Sequence, residues 1–354
     1  MRLKIFIPSD IDVSLDKKNL FLLVRPFYAK NGWTQYGETF SKWGLDSDNI
    51  QLVSEVSDAE LFLIPYPINY YFENQLKNHL NKYNSLCEKY DLKGFGYIAG
   101  DFGVAYPDYS KITYYRMGGF ASKLSNLNRG FPAALSDQQK IIYGTKEVTI
   151  RSKKVRPKVG FCGHATSSKI VLIYQTIKCL LENSRRFFQK PNRKDYEPIF
   201  PSAYMRQKIL KTIEKNNFID SQFIYRKKYR GGAKNSEDIR VTTLEYYENI
   251  KTSDYVLCLR GTGNFSIRLY ETLMMGRIPI FINTDCLLPF NNYIDWKDHV
   301  VWVEWENRHL ILDIIKDFHE KISENQFKEM QIRNRTLWLD ILQPKWILTH
   351  LSTD

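Results

Sequence analysis

The feature that most limits the fold is one continuous stretch, DYVLCLRGTGNFSIRLYETLMMGRIPIFIN, residues 254–283. Two short apolar runs flank a loop with two glycines and an amphipathic segment. Apolar runs of this length, bounded by turn residues, are typical of buried strands, and the amphipathic segment between them is typical of a helix. A strand, a helix and a second strand in this order form a crossover unit, which predicts a parallel sheet.

The same alternation occurs along most of the chain. Strand-like runs are LKIFIPS, ELFLIPYP, GFGYIAGDFG, PKVGFCGHA and SQFIYRKK, with helical patterns around residues 74–90 and 168–183. We therefore predict an α/β protein with two doubly wound, Rossmann-like domains facing a central cleft, with ligands at the carboxyl ends of the strands. The expected division is an acceptor domain (1–150), a nucleotide-sugar domain (151–320) and C-terminal helices (321–354) that pack back on the first domain. The polar segment 140–158 is the expected linker.

Composition favours a soluble cytoplasmic protein. The chain has 354 residues, 43% of them hydrophobic, which allows a core without metal or disulfides. Its five cysteines are scattered without metal-ligand spacing, a pattern typical of a reducing compartment. The first apolar run is too short for a signal peptide, and no run approaches the length of a membrane span.

The net charge of +12 is concentrated in one segment. Residues 151–240 hold 22 Lys and Arg against 7 Asp and Glu, a net charge of +15. Either this is an ordinary solvated face, or it attracts a nucleotide diphosphate or the anionic inner face of a membrane, as a peripheral contact. Nucleic acid is not expected as a partner, because no helix-turn-helix, zinc-finger or RNA-binding aromatic pattern accompanies the charge.

The loop within residues 254–283 has the chemistry of an anion site. Gly261 and Gly263 leave bare backbone for a ligand to approach, and Ser266 is placed to cap the following helix. A helix N-terminus attracts anions, and Arg260 and Arg268 would add charge-assisted contacts to phosphate oxygens.

Glu271 indicates a second type of contact. It lies three residues after Arg268, on the same helix face, and a carboxylate favours a ribose diol over a phosphate. The alternative interpretation makes Arg268 and Glu271 an ordinary surface pair. The stretch is neither a G-x-G-x-x-G fingerprint nor a P-loop.

RGTGNFSIRLYETLMMGRIPIFINTDCLLPF, followed by YIDW and VVWV, resembles the signature of the exostosin family of glycosyltransferases. Weaker similarity runs upstream through VGFCG, NRGFPAAL and DAELFLIPY. The matching positions are Arg260, Gly261, Ser266, Arg268, Glu271, Pro279, Leu288, Pro289, Phe290, Asp295 and Trp296.

The resemblance implies an inverting, metal-independent transferase of GT-B architecture that needs no cofactor and uses a nucleotide-diphosphate sugar as co-substrate. It assigns Glu271 to the donor ribose and Arg260 with Arg268 to the diphosphate. It also implies that the segment 160–164 forms a facing loop, where His164 donates to a phosphate or sugar hydroxyl or is simply a loop histidine. The predicted donor-binding set is Gly163, His164, Gly261, Gly263, Asn264, Ser266 and Glu271.

Inverting transfer needs a base for the acceptor hydroxyl. Asp10, Asp12 and Asp101 all follow predicted strands, and we favour Asp101, although an Asp at this position also suits a turn. The DxD strings at 10–12 and 46–48 are regarded as coincidental, and no metal site is predicted.

The sequence thus predicts a glycosyltransferase that moves a sugar, with a UDP-linked donor favoured, to a glycan or lipid-linked acceptor in cell-surface polysaccharide synthesis. Two alternatives remain open at this point. One is a transferase of the GDP-fucose type. The other is a non-catalytic protein that binds nucleotide sugars or glycans.

Overall fold

A computed structural model describes residues 2–11, 20–25, 50–189, 195–227, 229–233, 235–343 and 346–348. The chain divides into two compact units. Unit 1 contains Met1–Ser136, Leu287–Phe290 and Asp340–Asp354, and unit 2 contains Asp137–Cys286 and Asn291–Leu339. The sequence had placed the boundary after residue 150 and a separate C-terminal part from residue 321.

Unit 1 is built on one parallel sheet with strand order β2-β1-β3-β4-β5-β6. Its core strands read as continuous apolar runs because both faces of the sheet are covered. The side chains of Leu61, Phe62 and Leu63 are fully buried. The elements are β1 (Leu3–Phe6), β2 (Ile50–Leu52), β3 (Leu61–Leu63), α1 (Ile68–Glu73), α2 (Lys77–Lys89), β4 (Gly94–Ile98), β5 (Ile112–Arg116) and β6 (Asn128–Gly130).

Unit 2 holds a second parallel sheet, with order β11-β10-β9-β7-β8. The strands are β7 (Lys158–His164), β8 (Asp220–Arg226), β9 (Tyr255–Cys258), β10 (Ile278–Asn283) and β11 (Val301–Glu304). The helices are α3 (Gln138–Tyr143), α4 (Lys169–Gln189), α5 (Ser202–Glu214), α6 (Ser236–Lys251), α7 (Ile267–Met274), α8 (Ile311–Lys321) and α9 (Glu324–Asp340). The predicted α/β fold class, with one parallel sheet in each half, is confirmed.

The order of the second sheet creates a switch point. From β7 the chain first adds β8 on one side, and then places β9, β10 and β11 on the other side. Crossovers therefore leave in opposite directions from β7 and β9, which opens a crevice at the carboxyl ends of these two strands. The crossover unit predicted from residues 254–283 forms β9, α7 and β10.

The segment expected to be a linker is packed within unit 2. Arg335 of α9 makes two bonds to the Asp137 carboxylate, at 2.7 and 3.0 Å, and also donates to the carbonyl of Lys146. Further along, Gln331 bonds both the N–H and the carbonyl of Arg151. These bonds explain why unit 2 begins at Asp137.

A short segment late in the sequence belongs to unit 1. Residues Leu287–Phe290 lie against Gly130 at the end of β6, where an added Cβ would come within 2.5 Å of the Leu288 carbonyl carbon. Phe290 has a positive φ of 52° and packs edge-on against Trp346 at 4.6 Å. The Leu-Pro-Phe part of the signature therefore has a structural role in unit 1.

Within the residues described, no helix combines the length and the apolar character needed to cross a membrane.

Candidate functional site

The predicted donor residues gather at the switch point of unit 2. Strand β7 ends with Gly163 and His164, strand β9 leads into the loop 259–266, and α7 begins at Ile267. Parallel strands place their carboxyl ends at one edge of the sheet, so segments far apart in sequence meet there.

Arg268 lies across the end of β7. Its Nη2 donates to the carbonyl of Cys162 at 2.9 Å, and its guanidinium lies 4.4 Å from the ring centre of Phe161. A Cβ on Gly163 would sit 2.7 Å from Nη2. Gly163 is therefore needed in this arrangement because its bare backbone leaves room for the guanidinium.

Glu271 is held by two tyrosines of α6 that the sequence analysis did not single out. Tyr246 donates its hydroxyl to one carboxylate oxygen, and Tyr247 donates to the other at 3.1 Å. The pKa of Tyr246 is raised well above its ordinary value, mainly by burial and secondly by the charge of Glu271. The hydroxyl therefore keeps its proton and remains a hydrogen-bond donor. Each carboxylate oxygen has a second lone pair, and the group can accept further hydroxyls.

Arg206 of α5 is a third arginine at this edge, and sequence reasoning missed it. Its Nη1 donates to the carbonyl of His164 at 3.2 Å and its Nη2 to the carbonyl of Arg260 at 2.8 Å. It thereby bridges the ends of β7 and β9. The spacing along the sequence gave no signal, because α5 lies outside the crossover unit that carries the motif.

Arg206 and Arg268 form a concentration of positive charge. Burial and then the charge of Arg268 lower the pKa of Arg206. Each guanidinium has a buried Nε without a hydrogen-bond partner in the described part of the chain. Among those residues, no carboxylate lies within 4.0 Å of either one. Burial acts to lower the pKa of Arg268, but Tyr246, Cys258 and Glu271 outweigh it and raise the pKa, so Arg268 is partly compensated. Two guanidinium groups placed together still favour an anionic ligand with several oxygens.

Arg260 differs from the other two arginines. It is only 3% exposed, and its Nη2 lies 3.7 Å from the carboxylate of Glu197. The guanidinium also stacks on Phe200 at 4.8 Å and donates to the carbonyl of Thr262 at 2.8 Å. In this structure Arg260 holds the loop, and its direct contact with a diphosphate stays a prediction.

The loop itself is fixed mainly by Asn264. Its amide donates to the carbonyls of Thr284 and Asp285 at 2.9 and 2.8 Å, and its oxygen accepts from the Thr284 hydroxyl at 2.6 Å. Because these bonds occupy its side chain, the predicted contact of Asn264 with the nucleotide sugar depends on its backbone. Ser266 occupies the N-cap position of α7, as predicted, but its side chain makes no capping hydrogen bond.

The two loop glycines are not required by backbone strain, since neither has a positive φ. A Cβ on Gly261 would only touch Nη2 of Arg206 at an ordinary 3.6 Å. Gly263 is buried within the loop, whereas Gly261 is partly exposed. Nothing in the described part of the chain demands glycine at position 261, and close approach by a ligand at this position stays a prediction.

His164 lies at the end of β7 and is partly exposed. Burial, with a further contribution from Arg206, lowers its pKa below the ordinary value. The imidazole is therefore neutral at pH 7 and keeps one N–H for donation. A contact with a phosphate or sugar hydroxyl stays a prediction.

The candidate bases lie in unit 1. Asp101 lies three residues after the end of β4 and is exposed. Burial acts to raise the pKa of Asp10, but hydrogen bonds from Tyr83, Lys82 and His79 outweigh it and lower the pKa. A carboxylate with three donors is a weak base, and this favours Asp101 over Asp10. Asp12, Asp46 and Asp48 lie outside the described residues, and the described ones contain no group of three potential metal ligands.

Comparison with known proteins finds a family match over the part of the chain that carries the Arg-Gly and Ser-x-Arg-x-x-Glu motifs. Residues 188–318 match the Exostosin GT47 domain model. A probable glucuronosyltransferase 47 A of Physcomitrium patens is 34% identical over 82 residues, which cover 23% of this chain and 18% of that protein. The probable beta-1,4-xylosyltransferase IRX10L of Arabidopsis thaliana is 39% identical over 59 residues, covering 17% of this chain and 14% of that protein.

These matches span less than a fifth of the length of the two curated relatives. Among solved structures, a glycosyltransferase from Rickettsia africae ESF-5 aligns over 98% of this chain and 96% of that chain, at 12% identity and a TM-score of 0.37. The resemblance to exostosin-type glycosyltransferases predicted from the Arg-Gly and Ser-x-Arg-x-x-Glu motifs is confirmed, because the segment that carries these motifs matches the Exostosin GT47 domain.

Proposed function

We propose that this protein is a glycosyltransferase that transfers a sugar from a nucleotide-diphosphate donor to a glycan or lipid-linked acceptor. The proposal rests on one observation: a group of cations and a carboxylate lie together at the same edge of the unit 2 sheet. Arg206 and Arg268 supply positive charge and a buried Nε each that has no hydrogen-bond partner in the described part of the chain, and Glu271 supplies a carboxylate held in place by two tyrosines. A nucleoside diphosphate has both matching parts, a charged diphosphate and a ribose diol.

In this proposal the arginines do most of the chemistry on the donor. The acceptor oxygen attacks the anomeric carbon, the bond from that carbon to the diphosphate oxygen breaks, and the leaving diphosphate keeps the electron pair. Guanidinium groups fixed at the site of developing charge stabilise this departure without reorganisation. Arg206 and Arg268 are each anchored to strand-end carbonyls, which fixes them in this way.

The acceptor hydroxyl loses its proton to a base, for which we propose Asp101. Attack from the face opposite to the leaving group inverts the anomeric centre. Inversion and independence of metal rest on the family resemblance, and they are part of the proposal. The relatives are named as probable glucuronosyl- and xylosyltransferases, so a UDP-linked uronic acid or pentose is the first donor to test.

The first experiment is a thermal-shift screen with UDP, GDP, CMP and dTDP and their sugars, with and without EDTA. A ligand at one hundred times its Kd adds about 2.7 kcal/mol to the free energy of unfolding. For a unit of this size that is a rise in Tm of about 5–11 °C. We expect UDP and UDP-sugars to give this shift and EDTA to leave it unchanged.

Two variants separate donor binding from a general effect of charge. Arg206→Gln removes one of the two cations proposed to bind the diphosphate, and Glu271→Gln removes the charge of the group proposed to accept from the ribose but keeps its size. Both should abolish most of the shift. Arg240→Gln, at an exposed surface arginine that pairs with Glu237, should not. If no nucleotide shifts the wild-type protein at millimolar concentration, the proposal is wrong.

A further inference from the structure

Helix α4 carries a large apolar face that is open to solvent. At 100° per residue its members lie within one arc of about 140° of the helix surface, so they form a stripe along the helix that Ser184 interrupts once. Ordinary surface helices of soluble proteins carry polar residues on this side. The exposed members are Ile170 (80%), Ile173 (57%), Tyr174 (66%), Ile177 (49%), Leu180 (47%), Leu181 (66%), Phe187 (49%) and Phe188 (83%).

The opposite face of α4 carries polar side chains that make specific bonds to the rest of unit 2. Gln175 accepts from the N–H of Ala203 at 3.3 Å, and Asn183 bonds both the carbonyl and the N–H of Glu197 at 2.8 and 2.9 Å. Arg186 is 2% exposed and lies 3.6 Å from the Glu197 carboxylate. These bonds fix the rotation of the helix about its axis. The stripe on the other side of the helix is therefore held facing solvent.

The charges around the stripe have one sign. The exposed ionic residues of α4 are Lys169, Lys178 and Arg185. At 100° per residue, Lys178 and Arg185 lie along one edge of the stripe and Lys169 along the other. Glu182 turns inward to Arg186, at 3.0 Å, and is 19% exposed. The stripe is thus bordered by cations within a segment whose net charge is +15.

We infer that α4 is a membrane-binding helix that lies in the plane of an anionic lipid surface. The stripe would enter the boundary between headgroups and acyl chains, and the bordering cations would contact lipid phosphates. A spanning orientation is excluded for this helix by its polar inner face and by its lack of span-like hydropathy. The inference rests on α4 alone, and it does not depend on the proposed donor site.

A second copy of the chain is the competing occupant of this surface. A symmetric contact through the stripe would bring the same cations of both copies together, with the acidic side chain of each helix committed inward. Like charges at an interface oppose association, whereas anionic lipid supplies the opposite charge. The positive charges along the edges of the stripe therefore favour anionic lipid over a second copy as the partner of this surface.

Vesicle flotation of the purified full-length protein tests the inference. The vesicles contain phosphatidylcholine alone, or phosphatidylcholine with about 30 mol% phosphatidylglycerol, at about 50 and about 500 mM salt. We expect wild-type protein to float with the anionic vesicles at low salt, to bind neutral vesicles at least tenfold more weakly, and to lose part of its binding at high salt.

Two pairs of variants test the two components. Ile173→Asn with Leu181→Asn interrupts the stripe and should abolish flotation. Lys178→Gln with Arg185→Gln should weaken binding about 30-fold at low salt, since each basic residue contributes about fivefold near an anionic surface. The second pair should also flatten the salt dependence.

The controls make the same changes elsewhere in unit 2. Ile332→Asn replaces an apolar residue of α9 that is 53% exposed, and Lys316→Gln with Lys328→Gln removes two exposed cations of α8 and α9. Both should float like wild type. Urea midpoints equal to wild type show that the α4 variants are folded.

Absence of wild-type flotation with anionic vesicles would overturn the inference. So would α4 variants that bind as well as their controls. Light scattering supplies the remaining outcome. A dimer that the stripe variants convert to monomers, without vesicle binding, would assign the surface to a second copy. A UDP thermal shift that survives in the α4 variants would show that the donor site is intact whichever result is obtained.

Discussion

Gly163→Ala is a small change that tests the geometry of the donor site directly. The added Cβ would lie 2.7 Å from Nη2 of Arg268, well inside van der Waals contact. Because Nη2 is the far end of a flexible side chain, the guanidinium moves aside and the fold is retained. We expect the free energy of unfolding to fall by about 1.5–3 kcal/mol, because the displaced guanidinium loses its hydrogen bond to the Cys162 carbonyl.

Ligand binding should weaken as well. Displacement by about 1 Å moves the guanidinium away from the phosphate oxygen that it is proposed to bind. Loss of one such charge-assisted hydrogen bond costs about 1.5–3 kcal/mol, which corresponds to a UDP affinity about 10–150-fold weaker. Isothermal titration with UDP and urea unfolding of the ligand-free protein measure the two effects separately.

The matched control is the same substitution in an Arg268→Met background. Here the added methyl group has no guanidinium to displace, so the two losses in affinity should not add. The reasoning is refuted if Gly163→Ala binds UDP within twofold of wild type, or if the two effects are additive in the double variant.

Three other predictions concern unit 2. Gly160→Ala should reduce the free energy of unfolding by about 1–3 kcal/mol in urea, because its Cβ would lie 2.1 Å from the buried Ser253 hydroxyl oxygen, and a Ser253→Gly background should reduce that cost. Arg335→Met should cost about 3–5 kcal/mol by leaving the largely buried Asp137 carboxylate unpaired; a loss below about 1 kcal/mol would contradict this. Burial lowers the folded-state pKa of His319, so the unfolded chain binds the proton first as pH falls, and stability should decline from pH 7.5 to 5.5, less so in His319→Gln.

The strands of unit 2 could be predicted from sequence because a buried parallel strand is a short apolar run with a turn at each end. β7, β9 and β10 all have this form. Three unit 1 strands, β2, β5 and β6, were missed. β2 and β6 have only three residues each, and the sequence of β6 is Asn-Arg-Gly, which carries no apolar pattern. β5, with the sequence Ile-Thr-Tyr-Tyr-Arg, was read only as a group of aromatic residues.

The candidate site was partly predictable for a related reason. Arg268 and Glu271 lie within one local motif whose spacing on a helix is regular. Arg206, Tyr246 and Tyr247 come to the same place from α5 and α6, which the topology of the sheet brings together. A sequence pattern cannot show that residues from separate helices lie close together in the fold. The roles of Arg260 and Asn264 were also hidden, because their bonds run to Glu197 and to the segment after β10.

The placement of Leu287–Phe290 against Gly130 has a consequence for biosynthesis. Unit 1 takes residues from three separate parts of the chain, the last of them Asp340–Asp354. A ribosome completes the first 136 residues long before it supplies the Leu-Pro-Phe segment, so the amino-terminal sheet must wait, with one of its contacts missing, while the chain for unit 2 emerges. A fragment that ends at residue 136, whether made by cleavage or by expression, would therefore lack the later segments that pack against it. The two units should be produced as one chain.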